Sequence, residues 1–495
     1  MFTCDFSKRG SKTLSDFLYE KLKSAIIEGS FLPNEKLPSK RNLATHLGIS
    51  VITVANAYER LISEGYLYSI EKSGFFVTEL LTFESSQQSK IQKSQNINKT
   101  RKIEDKPNIN LKNHEEENLF KNPKIDFKTN ATNYEKFPFK TWTKITKEVF
   151  SEPNENLLKL PNPKGVFELR KEIAQYLKRF RNMNVKPEQI VIGSGTEYLY
   201  SLLVKLFDAN LLYAVENPGY KKISQILKTN GVKTVPCPLD EFGIDMKELK
   251  KTNANLVHLS PSHHFPTGIV MPVRRRQEIL AWANQEKNRY IIEDDYDSEF
   301  RFLGKPITPL FSLLASEDGS PDFENKVIYI NTFTKSLSPS FRISYLVLPE
   351  NLLPVFEEKL GFFSNTVSSF EQFILARFMG EGYFEKHIIR MKNYYRSLRN
   401  SLIFALEKSA ISKFCKIKEE EAGLHFLLEI QKDVNSKILK QAFKENGFSI
   451  PFLEDFYYEE IPNPRNPTLV INYSGIKKEK ISDSVKALEK VLLEI

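Results

Sequence analysis

Residues 81–123 constrain this chain more than any other stretch. Ser, Gln, Asn, Lys and Glu dominate there, apolar residues are sparse, and neither a period of two nor one of 3.6 persists. Such a segment cannot bury enough apolar surface to offset the entropy of ordering it, so it predicts a flexible linker. The chain is thereby divided into a head, 1–80, and a body, 124–495, each folding around its own core. Of the 495 residues, 41% are hydrophobic and 12% aromatic, ample for both. A net charge of +9 permits a polyanionic partner without establishing one. Cys4, Cys237 and Cys415 stand far apart without metal-type spacing. They point away from a disulfide framework or zinc site and fit a reducing cytoplasm. No signal-peptide core and no run of about 18 apolar residues occurs, so the expectation is a soluble, cytoplasmic protein with no membrane partner.

In the head, Leu14, Phe17, Leu18, Leu22 and Ile26 recur at helical spacing between Thr13, a cap, and Gly29. Ser39 caps a second helix that buries Leu43, Ala44 and Leu47 and stops at Gly48. Ser50 caps a third, through Val54, Ala57, Tyr58 and Leu61 to Gly65. Two short helices joined by Gly48-Ile49-Ser50 form a helix-turn-helix pattern. Residues 66–77 then alternate around Lys72-Ser73-Gly74 and predict a two-stranded wing. The start of the third helix would face the major groove of double-stranded DNA, with Ser50, Val51, Thr53 and Asn56 toward it. Arg41 and Lys72 would reach phosphates or base edges. A three-helix protein-interaction module is the alternative for this pattern.

In the body, strands at 211–215, 234–236, 256–259, 290–293, 326–330 and 344–348 alternate with helices at 169–182, 219–229 and 273–286. A further strand from Gln189 turns through Gly193-Ser194-Gly195-Thr196 into a helix, offering backbone N–H groups where phosphate binds well. This alternation predicts an α/β fold, a mostly parallel sheet covered by helices, with ligands at the carboxyl ends of the strands. Trp142 lies on a helical segment that the aromatic residues of Phe137-Pro138-Phe139 and Val149-Phe150 can pack. A small α/β subdomain, with strands at 422–428 and 468–473, closes the chain.

Four strand ends carry unusual residues. The most informative is the run after Val327, where hydroxyls surround Lys335 and Arg342 follows. Neighbouring charge and partial desolvation would lower the lysine's pKa, so that it can form a Schiff base with an aldehyde. Thr332, Thr334 and Arg342 would hold a phosphate. Pyridoxal 5'-phosphate carries both groups. Its pyridine nitrogen stays protonated only beside a carboxylate, for which Asp294 is the candidate. Tyr296 offers a phenol to the ring hydroxyl, and Tyr220 a stacking face. Each motif alone has a bland reading as a solvated strand exit; four in succession outweigh it.

Residues 13–77, with Pro38-Ser39-x-Arg41, Leu47-Gly48-x-Ser50 and Glu64-Gly65-Tyr66-Leu67 in order, resemble the GntR-type winged helix-turn-helix. Residues 124–495 resemble the class I aminotransferases of pyridoxal-phosphate fold type I. That resemblance rests on Gly195-Thr196-Glu197, Asn217-Pro218-Gly219-Tyr220, the motifs Pro261 to Gly268 and Glu293 to Arg301, and Thr332-Phe333-Thr334-Lys335-x-Leu337-x-Pro339-x-x-Arg342. The whole chain resembles the MocR/GabR-type transcriptional regulators. This implies Lys335 as the Schiff-base lysine, Asp294 at the pyridine nitrogen, Tyr296 at the ring hydroxyl and Tyr220 stacking. It also implies Arg342 as phosphate anchor, with backbone contacts from Gly195, Thr196 and Glu197. A homodimer whose two heads read two half-sites follows from the same resemblance.

The sequence departs from the family patterns at Val51, where arginine is usual, and at Phe265, where aminotransferases carry an asparagine beside the ring oxygen. Val470 stands where a strand arginine normally grips the substrate carboxylate; Arg465 lies nearby. Lys222 and His264 are the candidates for contacting an effector. The leading expectation is a regulator that senses an amine- or amino-acid-like effector, or pyridoxal phosphate itself, through Lys335. The rival is a working aminotransferase with a DNA-binding head.

Overall fold

The computed structural model describes residues 2–78, 123–128, 133–302, 308–313 and 324–494, with gaps at 11, 65, 71–72, 208–209 and 460–465. The expected linker, except Pro123, and the candidates Lys72 and Arg465 lie outside the described residues. Two units are distinguished, Met1–Leu111 and Lys112–Ile495.

In the first unit, α1 (Leu14–Ile27), α2 (Lys40–Leu47) and α3 (Val51–Ser63) each begin at a hydroxyl cap. Thr13 accepts from the Asp16 N–H, Ser39 from that of Asn42 and Ser50 from that of Thr53. Each bond satisfies an orphan donor that an apolar residue would leave unpaired. Gly48 ends α2 in the left-handed region at φ 66°, which turns the chain toward α3. Leu18, Leu22, Leu43, Val54, Tyr58 and Leu61 share one core with Leu37, Leu67 and Val77. The wing has three strands where the sequence predicts two. Between β2 (Leu67–Ile70) and β1 (Lys36–Leu37) lies β3 (Gly74–Val77), antiparallel to both. Two residues are too few to show alternation; the buried Leu37 is the only trace β1 leaves in the sequence.

The second unit is built on an eight-stranded sheet. In chain order its strands are β5 (Ile190–Gly193), β6 (Leu212–Asn217), β7 (Lys233–Asp240), β8 (Gly243–Ile244), β9 (Leu256–Leu259), β10 (Tyr290–Asp294), β11 (Val327–Thr332) and β12 (Ser344–Val347). Their spatial order is β5-β12-β11-β10-β9-β6-β7-β8. The strands β6, β7, β9, β10 and β11 are mutually parallel, and β12 runs antiparallel to both β11 and β5. Every residue of β5, β9, β11 and β12 is buried, as expected of strands covered on both faces. The strand predicted at 234–236 extends over Lys233–Asp240; Pro236 and Pro238 are tolerated because only the two-residue β8 pairs beyond it.

This topology places the carboxyl ends of β5, β6, β9, β10 and β11 at one edge, where an open α/β sheet binds ligands. Because β12 is reversed, its start, just after Arg342, arrives at the same edge: Ser344 pairs with Thr332 on one side and Gly193 on the other. Trp142, in the helix Phe139–Ser151, packs against Phe137, Phe378 and Phe341, whose ring lies 4.6 Å away. It thus fixes the residue before Arg342. Phe150 instead stacks on Phe370.

The C-terminal subdomain is a second sheet. Here β14 (His425–Ile430) lies between β13 (Cys415–Lys418) and β16 (Thr468–Asn472), all antiparallel. The pair β15 (Phe448–Ser449) and β4 (Ile125–Asp126) ties the first described residues of this unit to the subdomain. Among the described residues no helix is long and apolar enough to cross a membrane.

Candidate functional site

Polar residues at the strand ends surround a cavity of about 320 Å³, within the range of small-molecule sites. Thr196, Glu197, Tyr220, Lys222, Asp294, Tyr296, Thr332, Thr334, Lys335 and Arg342 all line it. Ten of the sequence candidates, spread over four connections, therefore meet in one place.

Lys335 is positioned by a local device. The Thr332 hydroxyl accepts from the Thr334 N–H at 3.1 Å and caps the short helix Phe333–Ser336 that carries the lysine. Burial pushes the amine pKa down to about 8, against the opposing pull of Asp297 and Asp294. A hydroxyl chain runs alongside: Ser344 donates to Thr332 at 2.7 Å, and Thr332 to Thr334 at 2.7 Å. Thr332 has therefore committed its hydrogen, and Thr334 keeps one to offer to the cavity.

Asp294 closes β10. Its Oδ2 accepts from the Tyr200 hydroxyl at 2.9 Å, and that hydroxyl lies 2.7 Å from Nε2 of His258. Oδ1, also buried, has no hydrogen-bond partner among the described residues. A buried acceptor left in that state is costly, so a protonated donor on the cavity side fits it. Tyr296 is oriented by Nδ1 of His263, 3.3 Å away, and His263 in turn by Asp297 at 2.8 Å. Burial, with Asp297 adding to it, holds the Tyr296 phenol well above its usual pKa, so it remains a donor.

At the opposite end Gly195, with φ 92°, precedes the helix Thr196–Leu206. A Cβ on Gly195 would lie 2.5 Å from Nη2 of Arg342, so glycine lets the guanidinium lie against the helix start. Arg342 itself adopts φ 51°, a conformation that a non-glycine residue holds only when its surroundings enforce it. Its Nη2 donates to Oε2 of Glu197 at 2.6 Å, and Lys222 pairs with Oε1 of the same carboxylate.

The remaining candidates are placed differently. Tyr220 is 49% exposed and meets Phe265 edge-on, ring centroids 5.9 Å apart. His264 is not among the cavity-lining residues. It is buried behind the wall, 2.7 Å from the Thr267 hydroxyl and 3.4 Å from Glu216. Burial pushes His264 down to about 3 and Glu216 up to about 8, so this pair is uncharged near neutrality. Val470 is buried and pairs with Leu427; Asn472, two residues on, lines the cavity instead. Sequence reasoning did not single out Tyr200, His258 or Asn472. His258 did leave a signal, a polar residue inside the apolar run Leu256-Val257-His258-Leu259, and Tyr200 lies one helical turn after Thr196.

In the first unit, Arg41, Ser50 and Asn56 are exposed, Val51 is 43% exposed and Thr53 is half-buried. The Ser50 and Thr53 hydroxyls are 2.8 Å apart. Beside them Ile52 is 73% exposed.

Residues 122–456 match the family model of aminotransferase class I and II, and residues 14–77 that of the bacterial regulatory proteins of the gntR family. Over 476 residues, 95% of each chain, the sequence is 34% identical to the HTH-type transcriptional regulator YdeL of Bacillus subtilis (strain 168). The chain belongs to the MocR-type regulators, which join these two domains. It is also similar to MocR of Rhizobium meliloti, which carries the name probable rhizopine catabolism regulatory protein, with 27% identity over 487 residues, 97% of this chain and 93% of that one. Among solved structures, LysN, an α-aminoadipate aminotransferase of Thermus thermophilus complexed with N-(5'-phosphopyridoxyl)-L-leucine, is 25% identical with a TM-score of 0.64. That match covers 76% of this chain and 93% of LysN.

Proposed function

We propose that this protein is a cytoplasmic DNA-binding regulator that attaches pyridoxal phosphate at Lys335 and answers to an amine- or amino-acid-like effector, or to the cofactor itself. One observation carries the cofactor reading: a lysine whose pKa burial pushes down to about 8 shares a cavity with a carboxylate whose second oxygen is buried and has no hydrogen-bond partner among the described residues. When bound, the cofactor supplies an aldehyde and an electron-withdrawing ring. Lys335 offers the neutral amine. Asp294, held by Tyr200 and His258, keeps a proton at the ring nitrogen through Oδ1. Tyr296 would donate to the ring hydroxyl, and Tyr220 would offer a stacking face. Arg342, Thr334 and the backbone from Gly195 to Glu197 hold the phosphate, with Thr332 acting through Thr334.

The DNA-reading part is assigned to 1–80, joined by a linker over 81–123 to the body at 124–495. Ser50, Val51, Thr53 and Asn56 would face the bases of a double-stranded operator, and Arg41 its phosphates. A homodimer would present two such faces to two half-sites. Effector binding must favour one conformation over another for this arrangement to act as a switch.

A second reading, amino-group turnover, draws on the retained Asp294, Tyr200 and His258 group. Phe265 weighs against it, because it puts an apolar side chain on the cavity wall, and Val470 weighs against it too, because it leaves the expected strand position without a cation. The test is spectroscopic. Wild type incubated with pyridoxal phosphate gains a visible absorbance band that Lys335→Ala lacks; a colourless wild type removes the cofactor reading. Rapid consumption of amino donors with a keto acid, without a sequence-selective DNA shift, would favour turnover.

A further inference from the structure

The phosphate end of the cavity contains a carboxylate. Among the described residues the cations lining the cavity are Lys128, Lys222, Lys335 and Arg342, and two of them, Lys222 and Arg342, are bonded to Glu197. Glu197 sits in the first turn of the helix Thr196–Leu206, where the free N–H groups and the helix dipole favour negative charge. Its hydrogen bond from Lys222 holds the Glu197 pKa below the ordinary value, so it is ionised at neutral pH. One Glu197 oxygen therefore occupies a guanidinium donor and part-neutralises the Arg342 charge, beside the same helix end.

We propose that Glu197 acts as an internal competitor for the phosphate of the cofactor. This inference rests on the cofactor reading above and adds how tightly that cofactor is held. For a phosphate to take the Nη2 donor that Glu197 holds, Glu197 must give up its 2.6 Å bond and remain on Lys222 alone; a phosphate that takes the other guanidinium N–H groups instead shares Arg342 with a carboxylate beside it. Two like charges then share one helix end, a repulsion that part of the phosphate's binding energy must offset. Lys222 keeps the site usable, because it retains the displaced carboxylate and neutralises it. The consequence is a cofactor that exchanges with its free pool, so that occupancy, and with it the regulator's state, follows the pool's concentration. The competition acts on the phosphate alone: an aldehyde without one meets Lys335 and Asp294 but makes no demand on Arg342.

The test compares pyridoxal phosphate with pyridoxal, each titrated against wild type, Glu197→Gln, Lys222→Met and the Glu197→Gln/Lys222→Met pair, following the visible band. Glu197→Gln should tighten pyridoxal phosphate about five- to tenfold, the range for a partly solvated charge contact, and leave pyridoxal unchanged. Lys222→Met should weaken pyridoxal phosphate by a similar factor, and the double variant should bind more tightly than Lys222→Met. An unchanged pyridoxal affinity certifies that each variant is folded. Equal or weaker pyridoxal phosphate binding in Glu197→Gln, with pyridoxal still bound, overturns the proposal and leaves the cofactor reading standing. A parallel gain for both aldehydes also overturns it, since the effect would not act on phosphate. A wild type that takes up neither aldehyde removes the cofactor reading itself.

Discussion

The proposed DNA-reading face and the proposed cofactor cavity are built by opposite means. On the head, Ser50, Val51, Thr53 and Asn56 sit at one end of α3, and the core beneath them, with Leu43, Val54 and Tyr58, only holds the helix in place. In the body, residues as distant as Lys128 and Asn472 meet because a parallel sheet gathers its strand ends at one edge. A surface site of the first kind can change its side chains with little cost to the fold. A cavity of the second kind is less free to, because several of its groups, Thr332, His258 and Glu216 among them, also complete buried bonds.

Four substitutions test that contrast. Asp294→Ala removes a charged partner and should lower pyridoxal phosphate affinity about a hundredfold in a titration of the visible band. Operator binding measured without cofactor should be untouched; a loss there would show that Asp294 serves the fold. Leu43→Ala should destabilise the head by about 2–5 kcal/mol and weaken operator binding accordingly, while leaving the visible band intact. Tyr200→Phe deletes one bond to Asp294 and should cost about tenfold in cofactor affinity, since a hydrogen bond to a charged group is lost. Arg41→Ala should weaken operator binding by a few-fold and reduce its salt slope by about one. An unchanged slope places Arg41 off the phosphates.

The amine adds a pH test of the buried site. With the Lys335 pKa near 8, the neutral fraction falls as pH drops. The rate at which the visible band forms should therefore rise about tenfold per pH unit below 8 and level off above it. A profile that climbs to pH 10 would mean a solvated lysine and an open site.

The contrast also explains what the sequence could reveal. The head was legible nearly throughout, since Thr13, Ser39 and Ser50 mark its helix starts and Gly48 a stop. Hidden were β1, two residues long, and the short 3-10 helix Phe6–Arg9. In the body, the strands and the polar residues at their ends could be read, because apolar runs broke into Asp294, Lys335 and Arg342. The supports could not. Tyr200 and His258 matter through a contact with Asp294 that no local pattern encodes. Nor could the role of Glu197's side chain be read, because both its cations reach it only in the fold: Lys222 from the helix Lys221–Thr229 and Arg342 from before β12.

If attachment at Lys335 governs what the proposed DNA-reading face does, operator binding must respond to pyridoxal phosphate through that lysine. Operator affinity measured with and without saturating pyridoxal phosphate, in wild type and in Lys335→Ala, tests it most directly. The account predicts a cofactor-dependent change in wild type that is absent in the variant, with both proteins binding the operator equally when no cofactor is added. The same cofactor response in both proteins, or none in a wild type that carries the visible band, would contradict it.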